Sequence, residues 1–150
     1  MGQSLVQTYV HLVFSTKHRK PLIIPPFEDE LHNYLGGVCN ELNCQSIIVG
    51  GYTDHVHILY KQSQRIALMK VVEEVKKRSS KWIKEKHPLL SNFYWQNGYA
   101  AFSVDPKNMD GLVRYIANQH EHHSKNDFQN ELRSILIEHF VEFDERYIWD

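Results

Sequence analysis

The chain has 150 residues, with 17 Lys plus Arg against 18 Asp plus Glu and 42% hydrophobic side chains. That is enough for one domain with a proper core over residues 1–150 and too little for two. No apolar run of about 18 residues is present to span a bilayer, and Met1 to Thr8 lacks the charged start and apolar centre of a secretory signal, so a cytoplasmic protein is expected. Cys39 and Cys44 form neither a C-x-x-C nor a disulfide framework and read as reduced packing thiols.

Residues 9–16 alternate, with Val10, Leu12 and Phe14 on one face and Tyr9, His11, Val13 and Ser15 on the other, which predicts a first strand. The basic cluster Lys17-His18-Arg19-Lys20 follows, then Pro21, Pro25 and Pro26 break regular structure. Lys17 and Arg19 suit either a DNA backbone or a solvated loop. Leu31, Tyr34, Leu35, Val38 and Leu42 recur at helical spacing behind Glu28, Asp29 and Glu30, acids suited to a helix start. Gln45–Val49 and His55–Tyr60 read as a hairpin around Gly50-Gly51-Tyr52-Thr53-Asp54.

A long helix is predicted from about Ser63 to Lys86 and ended by His87-Pro88. Residues 61–86 hold nine basic and three acidic side chains, net +6, whereas residues 121–150 hold three and eight, net −5. A local basic face holds phosphates whatever the total charge. Lys76, Lys77, Arg78, Lys81 and Lys84 are therefore candidate DNA contacts, against the plainer reading of a solvated helix face.

The aromatics of Phe93-Tyr94-Trp95-Gln96-Asn97-Gly98-Tyr99 suit base stacking or core filling equally. Ala101–Val104 reads as a strand. After Asp110 a helix would place Leu112, Val113, Ile116 and Ala117 on one side and Tyr115, Asn118, Gln119 and His122 on the other. Asp127–Phe143 shows a last helical period through Leu132, Ile135, Leu136, His139 and Phe140. The order strand, helix, strand, strand, helix, strand, then helices, predicts an α+β fold. Its antiparallel sheet would be ferredoxin-like or RRM-like, with helices on one face and further C-terminal helices carrying Tyr115.

The strongest chemical signal is His55-Val56-His57. On a strand both imidazoles point to one side and can reach one ion, while Val56 and Ile58 point into a core. Taken alone the pair reads equally as two solvated histidines. Tyr115 and Gln119, four apart, would share a helical face. His120 and His123 form a second, lower-ranked pair, and Asp54 would orient His55 if the strand begins after it.

These blocks, together with Tyr9–Arg19, Ser79-Ser80-Lys81-Trp82-Ile83 and Trp95–Val104, resemble in content and order the single-tyrosine HUH transposases, the TnpA family of insertion-sequence elements. The resemblance implies a metal-dependent enzyme that cleaves and rejoins single-stranded DNA bearing hairpin ends through a 5′-phosphotyrosine. Tyr115 would be the nucleophile, and His55, His57 and Gln119 would be ligands of Mg²⁺ or Mn²⁺. It also implies a homodimer whose active sites can be shared between subunits, with Ser103–Met109 as a candidate joint.

Rival readings remain. A REP-associated tyrosine transposase would act on chromosomal palindromes, but no Asn-Pro follows the tyrosine helix here, where His120-Glu121-His122-His123 stands. Rolling-circle initiators usually present a third histidine in place of Gln119. A DNA-hairpin-binding protein without catalysis would have lost its geometry and kept its residues. A hydrolytic zinc enzyme would need a third histidine or carboxylate, for which the sequence offers no clear position.

Overall fold

The computed structural model describes residues 2–150. Four strands, β1 (Tyr9–Ser15), β2 (Ser46–Tyr52), β3 (His55–Lys61) and β4 (Ala100–Val104), form one antiparallel sheet in the order β2-β3-β1-β4. Helix α1 (Phe27–Glu41) links β1 to β2 and α2 (Leu68–Lys86) links β3 to β4. This is the ferredoxin-like arrangement that the element order predicts. Three further helices follow: α3 (Met109–Ala117), α4 (Gln119–His123) and α5 (Phe128–Glu138).

Side-chain alternation divides the sheet into two faces. Across β1 and β3, Val10 pairs with Tyr60, Leu12 with Ile58 and Phe14 with Val56. All six are buried against Leu31, Leu35 and Val38 of α1 and Val71, Val72, Val75 and Ile83 of α2. Each such aliphatic side chain contributes about 1.5–3 kcal/mol on burial. The alternate residues face the C-terminal helices, where Val13 and Phe102 pack on Phe128, Leu132, Ile135 and Leu136. His11, His55 and His57 lie on this second face and are also buried.

Several boundaries differ from the sequence reading. The β2–β3 turn is only Thr53-Asp54, because Gly50, Gly51 and Tyr52 continue β2 in register with His57, Val56 and His55. Helix α2 starts at Leu68 rather than Ser63. The Gln62 amide donates to the carbonyls of Ser63 and Ile66, and the Ser63 hydroxyl accepts from the Arg65 N–H, local bonds that compete with a helical start. Helix α5 stops at Glu138 because Phe140 turns left-handed, with φ 56°. Val141 N–H then closes onto the Leu136 carbonyl at 2.9 Å, a C-terminal cap of the left-handed type.

The aromatic stretch is divided. Phe93 and Trp95 fill the core, with Trp95 Nε1 donating to Ser79 Oγ at 2.9 Å, while Tyr94 and Tyr99 remain exposed. Cys39 and Cys44 are free and buried, and burial pushes the Cys39 thiol up to about 12. Among the described residues no helix is long and apolar enough to cross a membrane.

Candidate active site

The site forms where α3, α4 and α5 close over the second face of β3. Gly50 is the cross-strand neighbour of His57, and α3 approaches the sheet directly above it. A Cβ at Gly50 would stand 2.7 Å from Ile116 Cγ2 and would collide with the Ile116 carbonyl oxygen. The missing side chain thus lets α3 descend far enough for the Tyr115 ring to stand edge-on to His57, centroids 5.8 Å apart.

The helical period expected through Tyr115 and Gln119 is interrupted. Asn118 ends α3, its N–H reaching the carbonyls of Arg114 and Tyr115, and its own carbonyl accepts from His122 N–H in the next helix. Tyr115 and Gln119 therefore sit on different helices, yet both reach one carboxylate. The Tyr115 hydroxyl and Gln119 Nε2 donate to Glu131 Oε2, the amide at 3.0 Å. The other oxygen, Glu131 Oε1, lies 3.2 Å from His55 Nε2 and 3.1 Å from both His57 Nε2 and His123 Nε2.

The outer nitrogens fix the ring orientations. His55 Nδ1 donates to Asp54 Oδ1 at 2.8 Å, and His123 Nδ1 to the Asn126 carbonyl at 2.7 Å. His57 Nδ1 meets His11 Nε2 at 2.8 Å. With the outer nitrogens protonated, the neutral rings turn lone pairs inward toward Glu131 Oε1 and toward Gln119 Oε1, which is 3.0 Å from His55 Nε2 and 2.9 Å from His123 Nε2. Electron-pair donors converging this way require protons or a cation among them.

Their separations match adjacent ligands of an octahedral ion, roughly 3 Å apart for metal–ligand bonds of about 2.1 Å. His55, His57 and Glu131 together could hold a metal ion, and the donor set fits a divalent cation. Without one, protons take that place. Burial lowers the His55 pKa, but hydrogen bonds to Asp54 and Glu131 outweigh it and hold the ring up to about 9. Burial, then the neighbouring His57, pushes His11 down to about 3. Burial opposes ionisation of Glu131, but hydrogen bonds from His123, His55 and His57 hold its carboxyl well below the usual range. Burial and then the Glu131 charge raise the Tyr115 phenol above its ordinary value.

Two of these residues, Glu131 and His11, escaped the sequence reading. The carboxylate for which the sequence offered no clear position is Glu131, brought in by α5 and only 2% exposed. One signal pointed to it: Phe128, Glu131, Leu132 and Ile135 share a helical stripe, so this acid interrupts an apolar face. The proposed His120–His123 pair separates. His120 Nε2 lies 2.8 Å from both oxygens of Glu28, while His123 joins Glu131.

The basic candidates lie elsewhere. Lys76 Nζ donates to the carbonyls of Gln96, Asn97 and Gly98, and burial pushes it down to about 8. Lys77 pairs with Glu74, and Arg78 with Glu41 and Glu74. Lys17 and Lys81 are exposed, Arg19 lies over Trp149, and Lys84 lies 4.1 Å over the exposed Tyr94 ring. Beside the polar cluster opens a groove of about 770 Å³, lined by His11, Phe102, Arg114, Tyr115, His122 and Glu131 among others.

The chain is similar to known transposases. The family model described as "Transposase IS200 like" matches residues 4–119. The ISDra2 transposase TnpA of Deinococcus radiodurans is 22% identical over 120 residues, covering 77% of this chain and 86% of that protein. A crystal structure from Deinococcus radiodurans, assigned as a transposase, aligns with a TM-score of 0.66 at 20% identity, covering 79% of this chain and 96% of the other. A REP-associated tyrosine transposase bound to a REP hairpin aligns with a TM-score of 0.61 at 13% identity, covering 82% and 73%. With more than three-quarters of its length matched by that family model, the chain belongs to the IS200-like transposases.

Proposed function

We propose that this chain cleaves and rejoins single-stranded DNA through a 5′-phosphotyrosine at Tyr115, with His55, His57 and Gln119 binding Mg²⁺ or Mn²⁺. The observation that carries the reading is that the Tyr115 hydroxyl and the inward-facing nitrogens of His55 and His57 meet on the same buried carboxylate. A bound divalent ion would supply charge stabilisation at a phosphate oxygen.

The chain's own groups do the rest. Glu131 Oε2 accepts the hydrogen bond of the Tyr115 hydroxyl, and the raised pKa keeps the resting nucleophile neutral. In cleavage the Tyr115 hydroxyl gives up its proton as its oxygen bonds to phosphorus, the bond from phosphorus to the 3′ oxygen breaks, and that oxygen takes up one proton to leave as a 3′-hydroxyl. Attack on the phosphotyrosine by another 3′-hydroxyl reverses these changes and rejoins DNA without ATP. Asp54 and His11 keep the His55 and His57 rings aimed inward.

DNA with hairpin ends is the proposed substrate, in line with the hairpin-bound relative. Phosphate contact is assigned to Lys17, Arg19, Lys81 and Lys84. Lys76, Lys77 and Arg78 already have partners within the chain. The protein is proposed to be a homodimer. Support for each subunit completing its own site comes from the meeting of Tyr115 and His57 within one chain.

End-labelled single-stranded DNA carrying an element end, incubated with Mn²⁺ and run under denaturing conditions, tests the chemistry. An adduct on the fragment bearing the 5′-phosphate, lost with a chelator, is expected. Cleavage with no adduct would replace the transposase chemistry by hydrolysis, for which two histidines and a glutamate are a familiar zinc set. Mixing His57→Ala with Tyr115→Phe tests the dimer: recovered activity would show that the site is shared between subunits.

A further inference from the structure

Glu131 lies past residue 119, where the family match ends, so its role has to be read from its surroundings. A carboxylate this deeply buried is costly unless it is paired and hydrogen-bonded. Here a single carboxylate accepts from a phenol and an amide and lies within 3.4 Å of the Nε2 atoms of four imidazoles, those of His55, His57, His122 and His123. No apolar side chain of similar size would satisfy that ring of groups. A purely structural role would be met by any arrangement that pairs each donor. Instead the two oxygens are placed differently, the closer imidazoles gathering on one and both hydrogen-bond donors on the other. Oε1 faces the Nε2 atoms of His55, His57 and His123 at 3.1–3.2 Å, whereas Oε2 takes the Tyr115 hydroxyl and the Gln119 amide and has His122 Nε2 farther off, at 3.4 Å.

We infer that Glu131 is an anionic ligand of the divalent ion, donated by α5 through Oε1 beside His55 and His57, and that through Oε2 it ties the nucleophile Tyr115 to the ion site. The inference rests on the metal-assisted reading above and adds to it a carboxylate from outside the matched region. The ligand set is thereby two imidazoles, an amide oxygen and a carboxylate. Its negative charge offsets part of the ion's charge in a buried site, which neutral imidazoles and an amide do not. It also explains why an acid stands in the apolar stripe of α5.

The test is Mn²⁺ binding to the purified full chain without DNA, followed by calorimetry and by the loss of the free Mn²⁺ electron paramagnetic resonance signal. Four variants accompany the wild type: Glu131→Gln, Glu131→Asp, Tyr115→Phe and the double variant His55→Ala/His57→Ala. Glu131→Gln keeps the size and hydrogen-bonding capacity of the side chain and removes its charge. It is expected to weaken Mn²⁺ binding more than about 10-fold, the loss typical of removing even an outer-shell partner.

Glu131→Asp keeps the charge but withdraws it by one methylene, so a smaller loss is expected. Tyr115→Phe should bind Mn²⁺ as tightly as the wild type. If Glu131→Gln does not fold, judged by circular dichroism in chelator, Glu131→Asp carries the comparison. Wild-type affinity in the folded Glu131 variants, with binding abolished in the double histidine variant, would overturn the assignment of Glu131 alone. Absence of Mn²⁺ binding by the wild type would overturn both this inference and the metal-assisted reading.

Discussion

One pair of strands builds two layers of opposite chemistry. Through Val10, Leu12, Phe14, Val56, Ile58 and Tyr60, β1 and β3 give one side of the sheet to a dry core under α1 and α2. Through His11, His55 and His57 the same strands give the other side to a buried polar cluster under the C-terminal helices. Side-chain alternation alone produces the split. The apolar face is held by non-directional burial and tolerates exchange among residues of similar size. The polar face is held by named pairs of atoms, so each member depends on the geometry of the next. Strength and function are thereby placed back to back, one residue apart.

Substitutions should separate the two faces. The largest effect is expected from Tyr115→Phe, which removes the oxygen proposed to attack: covalent adduct should disappear on a denaturing gel, while chemical denaturation shows a fold that persists. On the opposite side, Ile58→Ala should cost about 2–5 kcal/mol in a urea titration, yet leave Mn²⁺ affinity per folded molecule unchanged. A drop in affinity would mean that the faces are mechanically coupled. Gly50→Ala, between the strand and α3, should cost about 1–3 kcal/mol through overpacking. It should lower adduct yield more than Mn²⁺ affinity, because it displaces the tyrosine helix rather than the histidines.

The most gradual effect is in pH, a slope of at most about 1.4 kcal/mol per pH unit for each group, and only for the polar face. His11 has its folded pKa near 3, below the ordinary 6.5, so the unfolded chain takes that proton first. Its contribution is complete above pH 6.5 and is lost as pH falls toward 3. His57, likewise lowered by burial, acts in the same direction. His55 is raised to about 9, so its contribution is complete below pH 6.5 and is lost as pH rises toward 9. Thermal melts of metal-free protein should thus show an acid limb and an alkaline limb. Asp54→Asn should flatten only the alkaline one, and a variant with both limbs unchanged would remove Asp54 as the partner that holds the His55 proton.

Legibility in the sequence followed the range of the contacts involved. The alternation of β1, the His-x-His of β3 and the spacing of α1 are local periodicities, so the strand–helix order and the ferredoxin-like sheet could be read directly. Asp54 was also readable, on the condition that β3 begins at His55, which it does. Glu131 was not. It meets His57 across 74 positions, and residues 121–150 contain eight acids with nothing local to single this one out except its place in an apolar stripe. His11 depends on strand register, which places Val13 directly across from His57 and brings His11 alongside it. The break at Asn118 was hidden by the run of helix-compatible residues around it.

Gly50 carries a consequence for heredity. Every missense change in its codon adds at least one carbon where the Ile116 carbonyl stands, whatever residue results. A gene copy altered there would encode a chain with Tyr115, His55, His57, Gln119 and Glu131 all intact and the tyrosine helix unseated. A survey of decayed copies that scored only those five residues would count it as active. Silent lineages are therefore best sought by reading the glycine opposite His57 together with the histidines themselves.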